Sequence, residues 1–200
     1  MSFNNSPKSE NLIKLAQRLR RYKPNQSFTF PVDSAGEWGP QEEDATNPNR
    51  AAVLICLFEG ENDGDLRVIL TKRSSTMSSH SEVVTILEPF QTKRDITVIP
   101  VIGILWDKNA FNPIPNADEV ESIFDAPLEM FLKDENRREE EREWMGYKYL
   151  LHFFDHQVYN KCYVIWALTA AILIKAASVV YQRAPFFEER RPIFWNRSRQ

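Results

Sequence analysis

Two rhythms of apolar and polar positions run along this chain. Near the start, Leu12, Leu15, Ala16 and Leu19 recur every three or four residues, the period of a helix with one buried stripe. Ser9 is placed to cap it and Glu10 to sit in its first turn, so a helix is expected over Asn11–Tyr22. Lys14, Arg18 and Arg21 lie off the stripe, which makes the helix basic and amphipathic, and docking on its own domain is the ordinary use of such a helix. From Pro24 to Arg50 the rhythm is lost among four prolines and two glycines, as in a linker.

Beyond Arg50 the rhythm shortens. Ala51–Phe58 is a continuous apolar run of strand length, and Leu66–Lys72 returns after the turn residues Asn62-Asp63-Gly64-Asp65, so the two predict a hairpin. Glu82–Leu87 and Asp95–Leu105 predict further strands, and Pro100 argues for an edge or bulge position in the second of these. Glu119–Phe124 reads as a short strand. Asp125-Ala126-Pro127 reads as the cap and first turn of a helix continuing through Leu128, Phe131 and Leu132. The charged run Lys133–Glu143, a strand over Lys148–Phe154, a turn at Tyr159-Asn160 and a long apolar helix over Tyr163–Tyr181 complete the chain. Central strands with helices between and at both ends imply a layered α/β or α+β domain. Residues 1–49 form the helix and linker, and 50–200 the domain proper.

Composition narrows the function classes. The chain has 200 residues, 42% of them apolar and 26% charged, which suits one domain with a sizeable core. A net charge of -3 supplies no basic field for nucleic acid. Cys56 and Cys162 each sit in an apolar run, and two buried, reduced thiols of an intracellular protein are the plain expectation. The polar, basic start lacks a secretory core segment, and Ser198-Arg199-Gln200 is not a peroxisomal address, so the cytoplasm is the default and the mitochondrion the alternative. Tyr163–Tyr181 is long enough to span a bilayer, but Lys175 lies well inside it, a costly place in lipid. A helix packed on the sheet is the better reading.

Three clusters invite chemistry. His152 and His156 share a face but lack a third ligand in register, and the remaining histidine, His80, is distant in sequence, so the pair reads as structural. Clustered carboxylates in Arg137–Glu143 can hold Mg²⁺ beside a phosphate, although a solvated, salt-bridged helix face is the usual meaning of such a run. In Leu70–Phe90, basic and hydroxylic residues follow a strand and lead straight into another apolar strand. No glycine falls between Gly64 and Gly103.

Several segments together resemble one family: Arg50-Ala-Ala-Val53, Leu70-Thr71-Lys72-Arg73-Ser74, His80-Ser81, Val98 to Gly103, Asp118-Glu119-Val120, Ala126-Pro127-Leu128 and Ile165-Trp166. This pattern resembles the plant-like coenzyme A diphosphatase branch of the Nudix hydrolases, over about Leu12 to Trp195. The resemblance implies a Nudix-type α/β/α sandwich with a mixed sheet, and Mg²⁺- or Mn²⁺-dependent cleavage of coenzyme A or its esters to 3′,5′-ADP and 4′-phosphopantetheine. Coenzyme A or another nucleoside diphosphate derivative is then the small-molecule partner, with self-association left open.

The family places its metal-binding carboxylates in the Nudix box, G-x5-E-x7-R-E-U-x-E-E-x-G-U, whose helix sets glutamates one turn apart. That element is expected after His80-Ser81. Here Ser81 meets Glu82 and then Val83 to Phe90, which resembles the segment following the box. Setting Arg138-Glu139 as the box pair places Phe124 at its first glycine, Met130 at its first glutamate and Arg142 at a ligand position. Setting Gly146 as its last glycine places Asp125 and Phe131 at those first two positions, so both registers fail. The expectation is therefore a sandwich lacking the Nudix loop and helix, with no catalytic or metal-ligating residue assigned. Arg73, Thr71 and Ser74 remain as substrate-side residues, and Asp118, Glu119 and Glu121 read as surface carboxylates. An internal deletion would produce this join. A silent nucleotide- or partner-binding protein and a membrane-anchored protein are the competing classes.

Overall fold

The computed structural model of the chain describes residues 9–24, 49–61, 65–71, 81–109, 111 and 122–196. Helix α1 covers Glu10–Leu19, and the Ser9 hydroxyl accepts the Asn11 N–H at 3.2 Å, as its cap should. Its stripe of Leu12, Leu15, Ala16 and Leu19 is buried. The helix stops three residues short of Tyr22, where the N–H groups of Arg21 and Tyr22 tighten to i−3 carbonyls ahead of Pro24.

The main sheet is mixed, as expected. Strands β1 (Arg50–Glu59), β2 (Leu66–Thr71), β3 (Ser81–Ile86), β5 (Thr97–Leu105) and β6 (Ile123–Pro127) lie in the order β3-β5-β1-β2-β6, with the short β4 (Phe90–Gln91) also on β5. β1 runs parallel to β5, with Arg50 beside Thr97 and Leu57 beside Ile104, and the other pairs are antiparallel. The predicted β1–β2 hairpin is present.

Pro100 corrects an expectation, because β5 is an interior strand. The Pro100 carbonyl accepts the Leu87 N–H at 2.9 Å, so this residue faces the stretch between the end of β3 and the start of β4. A missing N–H there interrupts no ladder, since N–H and C=O of one strand residue point the same way. The irregularity falls on β3 instead, between Val83 and Thr85.

Three further elements differ from the sequence reading. Asp125-Ala126-Pro127 belongs to β6, and only Leu128–Leu132 turns, as a 3₁₀ helix with no side-chain cap. Asp125 instead binds the Arg67 guanidinium at 2.5 Å. The charged run is no helix: Arg137–Trp144 is strand β7, paired with β8 (Tyr147–Val158) through a turn at Met145-Gly146, both at positive φ. Tyr163–Tyr181 is two elements, the end of strand β9 (Lys161–Trp166) and helix α2 (Ala167–Tyr181). Tyr163, Val164, Ile165 and Trp166 are aromatic or β-branched and suit a pleated ladder, while the alanines that follow suit a helix. This shift leaves Cys162 exposed, against expectation, while Cys56 is buried as expected and its thiol is pushed up to about 11 by burial. Among the described residues no helix is long and apolar enough to cross a membrane.

β7, β8 and β9 form a second, antiparallel sheet. One large core joins it to the first: Ile55, Leu57, Ile102 and Ile104 meet α1, α2, Phe131 and Phe154. Alternation along β1 sends Cys56 and Phe58 to the opposite face, where they meet Leu105 and the loop residue Phe111. Both described helices belong to the first face.

Candidate functional site

β2 ends at Thr71, opposite Ile123 of β6, and the two strand ends form one wall of a cleft. The other wall is the whole of β9, the edge strand of the second sheet, followed by the start of α2. The cavity between them has a volume of about 620 Å³, within the range of small-ligand sites. Thr71, Ser122 and Thr169 bring hydroxyls to it, Lys161 an ammonium, and Phe124, Tyr163 and Trp166 aromatic surface.

The walls are held by contacts between the sheets. Phe124 stacks on Tyr163 with centroids 3.9 Å apart and planes 13° apart. His156 Nε2 donates to the Asp125 carbonyl at 3.0 Å, and the His156 ring lies 6.4 Å from Phe124. His156 thus acts as a strut, which agrees with its structural reading. Arg67, bridged to Asp125 and Asp65, fixes the other side of β6 to β2.

Among the described residues that line the cleft, one is charged, Lys161. Lys161 has no ion-pair partner among the described residues. Helix α2 begins here with no side-chain hydrogen bond from Trp166 and no acidic residue in its first turn. Such a helix start carries partial positive charge. Ala167 at the junction has φ 53, and this left-handed residue turns the strand abruptly into the helix. Trp166 is 53% exposed beside the opening, with its ring stacked on Phe153 at 5.6 Å.

Of the residues singled out from sequence, Thr71 lies in this cleft. Arg73, Ser74, His80, Asp118, Glu119 and Glu121 fall outside the described residues. Three carboxylates of β7 are engaged in ion pairs: Glu139 with Arg137, Glu140 with Arg142, and Glu141 with Lys148 and Arg190. Lys161 and the start of α2 were missed because β9 reads as part of the following helix; the Lys-Cys-Tyr-Val-Ile-Trp run was the available signal.

No protein-family model matches the chain. Individual relatives do. It is 56% identical over 190 residues to Nudix hydrolase 15, mitochondrial, of Arabidopsis thaliana, covering 77% of this chain and 66% of that protein. It is 48% identical over 235 residues to Nudix hydrolase 22, chloroplastic, of the same plant, covering 92% of this chain and 78% of that one. Peroxisomal coenzyme A diphosphatase NUDT7 of Mus musculus is 31% identical over 143 residues, covering 67% of this chain and 60% of that protein.

Proposed function

The chain belongs to the Nudix hydrolase family, and from that premise we propose that it is a member of the coenzyme A diphosphatase type that binds a phosphate-bearing ligand in the β2–β9 cleft without turning it over. The observation that carries this reading is the shortness of the join between β2 and β3. Only residues 72–80 separate Thr71 from Ser81, fewer than the Nudix box pattern requires. The match to the chloroplastic relative supports the same reading, since it spans 235 positions while covering only 92% of a 200-residue chain. Positions of the relative therefore lie opposite gaps in this chain.

Nudix hydrolases generally depend on divalent metal, and Mg²⁺ or Mn²⁺ is the ion proposed for the branch. A pyrophosphate repels water until cations neutralise its oxygens. Among the described residues no three His, Cys, Asp or Glu side chains gather to hold such an ion, so this donor set does not fit a metal centre. What the described chain supplies is binding. Lys161, the cleft hydroxyls and the start of α2 suit phosphate oxygens, and Tyr163 and Trp166, each already stacked on one neighbouring ring, add aromatic edge and lining. The similarity to a peroxisomal coenzyme A diphosphatase supports coenzyme A, or a related nucleoside diphosphate derivative, as the ligand. The names of the two plant relatives favour an organelle over the cytoplasm as the place where it acts.

The test is an incubation with coenzyme A and millimolar Mg²⁺ or Mn²⁺, followed by chromatography of the products. No 3′,5′-ADP above background is expected, whereas calorimetry should detect coenzyme A binding that Lys161→Ala weakens about tenfold. Inserting the family's loop and helix between Ser81 and Glu82 should bring metal-dependent turnover. EDTA-sensitive turnover by the unmodified chain would overturn the reading, as would a well-folded insertion variant that stays inactive.

A further inference from the structure

His152 sits on β8 beside Glu139 of β7, 8% exposed, and the cleft makes no use of it. Its Nδ1 lies 2.9 Å from Nη1 of Arg137. A guanidinium can only donate, so Nδ1 must be the acceptor and the ring proton sits on Nε2. Nε2 is buried and has no hydrogen-bond partner among the described residues. Adding a second proton would set an N–H on Nδ1 head-on against the N–H of Arg137, inside the protein. This geometry keeps the ring neutral.

The same pair grips the segment that follows α2. The Phe187 ring lies 4.1 Å from the Arg137 guanidinium carbon and 4.9 Å from the His152 ring. Arg137 has a side chain only 9% exposed and is held by Asp134 and Glu139, each at 2.5 Å. The segment is tied by backbone hydrogen bonds from Arg183 N–H to the Ser178 carbonyl at 3.2 Å, Phe186 N–H to the Leu132 carbonyl at 2.9 Å and Leu150 N–H to the Arg190 carbonyl at 2.8 Å, and by ion pairs of Arg183 with Glu129 and of Arg190 with Glu141. Its far end buries Phe194 and Trp195 against Trp144, Tyr149 and Phe90.

We infer that residues 183–196 form a strap released by acid, with His152, Arg137 and Phe187 as its latch. The charged groups around the ring are Arg137 and Glu139 on β7, Asp134 before it, and Arg191 with its partner Glu189 on the strap itself. Protonated His152 faces cations from both β7 and the strap, with Glu139 as the opposing carboxylate. Swinging the strap away removes Phe187 and Arg191 and admits water to the ring.

The direction follows from the two states of the ring. Burial first, then Arg137 and Arg191, hold it down to about 4 in the closed form, with Glu139 acting the other way. Once released, it returns toward the ordinary value near 6.5. The closed strap is fully favoured above that value and loses its advantage as pH falls from 6.5 toward 4. Linkage gives a rise of about thirtyfold in the opening constant between pH 7.5 and pH 5.

Hydrogen–deuterium exchange of the full chain at these two pH values, corrected for intrinsic exchange, tests this. Protection of the Leu150 and Phe186 amides should fall about thirtyfold at pH 5, while the Ile55 and Ile102 amides of the central sheet hold theirs. His152→Gln should remove the fall. Unchanged protection at Leu150 and Phe186, parallel loss at Ile55 and Ile102, or a fall that persists in His152→Gln would each overturn the inference. Should that variant not fold, an NMR titration of the wild-type ring decides: an Nε2–H tautomer with a depressed pKa supports the latch, and titration near 6.5 in the folded chain refutes it.

Discussion

Lys175 puts a charge into the apolar run of α2, and Glu88 at 3.1 Å meets it where both side chains are about a quarter exposed. The Tyr22 hydroxyl donates to the same carboxylate at 2.8 Å, so one acid ties the end of α1, the β3–β4 turn and α2. Burial alone would raise the Glu88 carboxyl, but a bond from its own backbone, Tyr22 and Lys175 outweigh it and hold the group below the usual range. A depressed carboxyl stabilises the fold above its unfolded value of 4.5, and that contribution is lost as pH falls below it. Glu88→Ala should cost about 1–3 kcal/mol at pH 7, because Lys175 and Tyr22 are left half-buried without their acceptor. Urea denaturation at pH 7 and pH 3.5 would check this, with the gap between variant and wild type narrowing at the lower pH.

At the scale of elements, the junction of β9 and α2 carries a strain that glycine would relieve. Ala167 pays for a left-handed conformation at φ 53. Ala167→Gly should stay within about 0.5 kcal/mol of wild type or exceed it, whereas Ala170→Gly, in the buried helix interior, should lose about 1 kcal/mol or more. Thermal melts of the two variants decide the contrast. Legibility differs between elements for physical reasons. The strands of the first sheet announce themselves because Ala51–Phe58 and Leu66–Lys72 are apolar and short. β7 does not, because its glutamates and arginines prefer helix and only pairing with β8 across the sheet makes them a strand. Pro100 misled for a related reason, since its tolerance inside the sheet depends on where β3 happens to end. Of the residues lining the cleft, Thr71 is the one that the entry motif singles out. Lys161 and the start of α2 were hidden by a boundary that apolar periodicity cannot place.

For the whole molecule, the distribution of helices matters. α1 and α2 pack on one face of the main sheet. On the other face Val83, opposite Gly103, is 56% exposed, and Leu54 and Ile69 are half-buried around Cys56 and Phe58. Each large apolar side chain left in water forfeits about 1.5–3 kcal/mol of burial. Purified protein should therefore bind a hydrophobic dye and self-associate in gel filtration; a dye-silent monomer with a sharp, high melting temperature would contradict this.

The parallel pairing of β1 with β5 has a consequence in time. β2 can return on β1 as a local hairpin, but Arg50 finds Thr97 only after all the chain between the two strands has closed into a loop. Such distant pairing slows folding, so the docking of β5 is expected to set the pace of refolding. Loop closure depends only logarithmically on length, at about 0.6 kcal/mol for each doubling. The topology is thus slow to assemble yet nearly indifferent to how much chain that loop contains, and a segment gained or lost at Ser81 leaves the central pairing of β1 and β5 in reach.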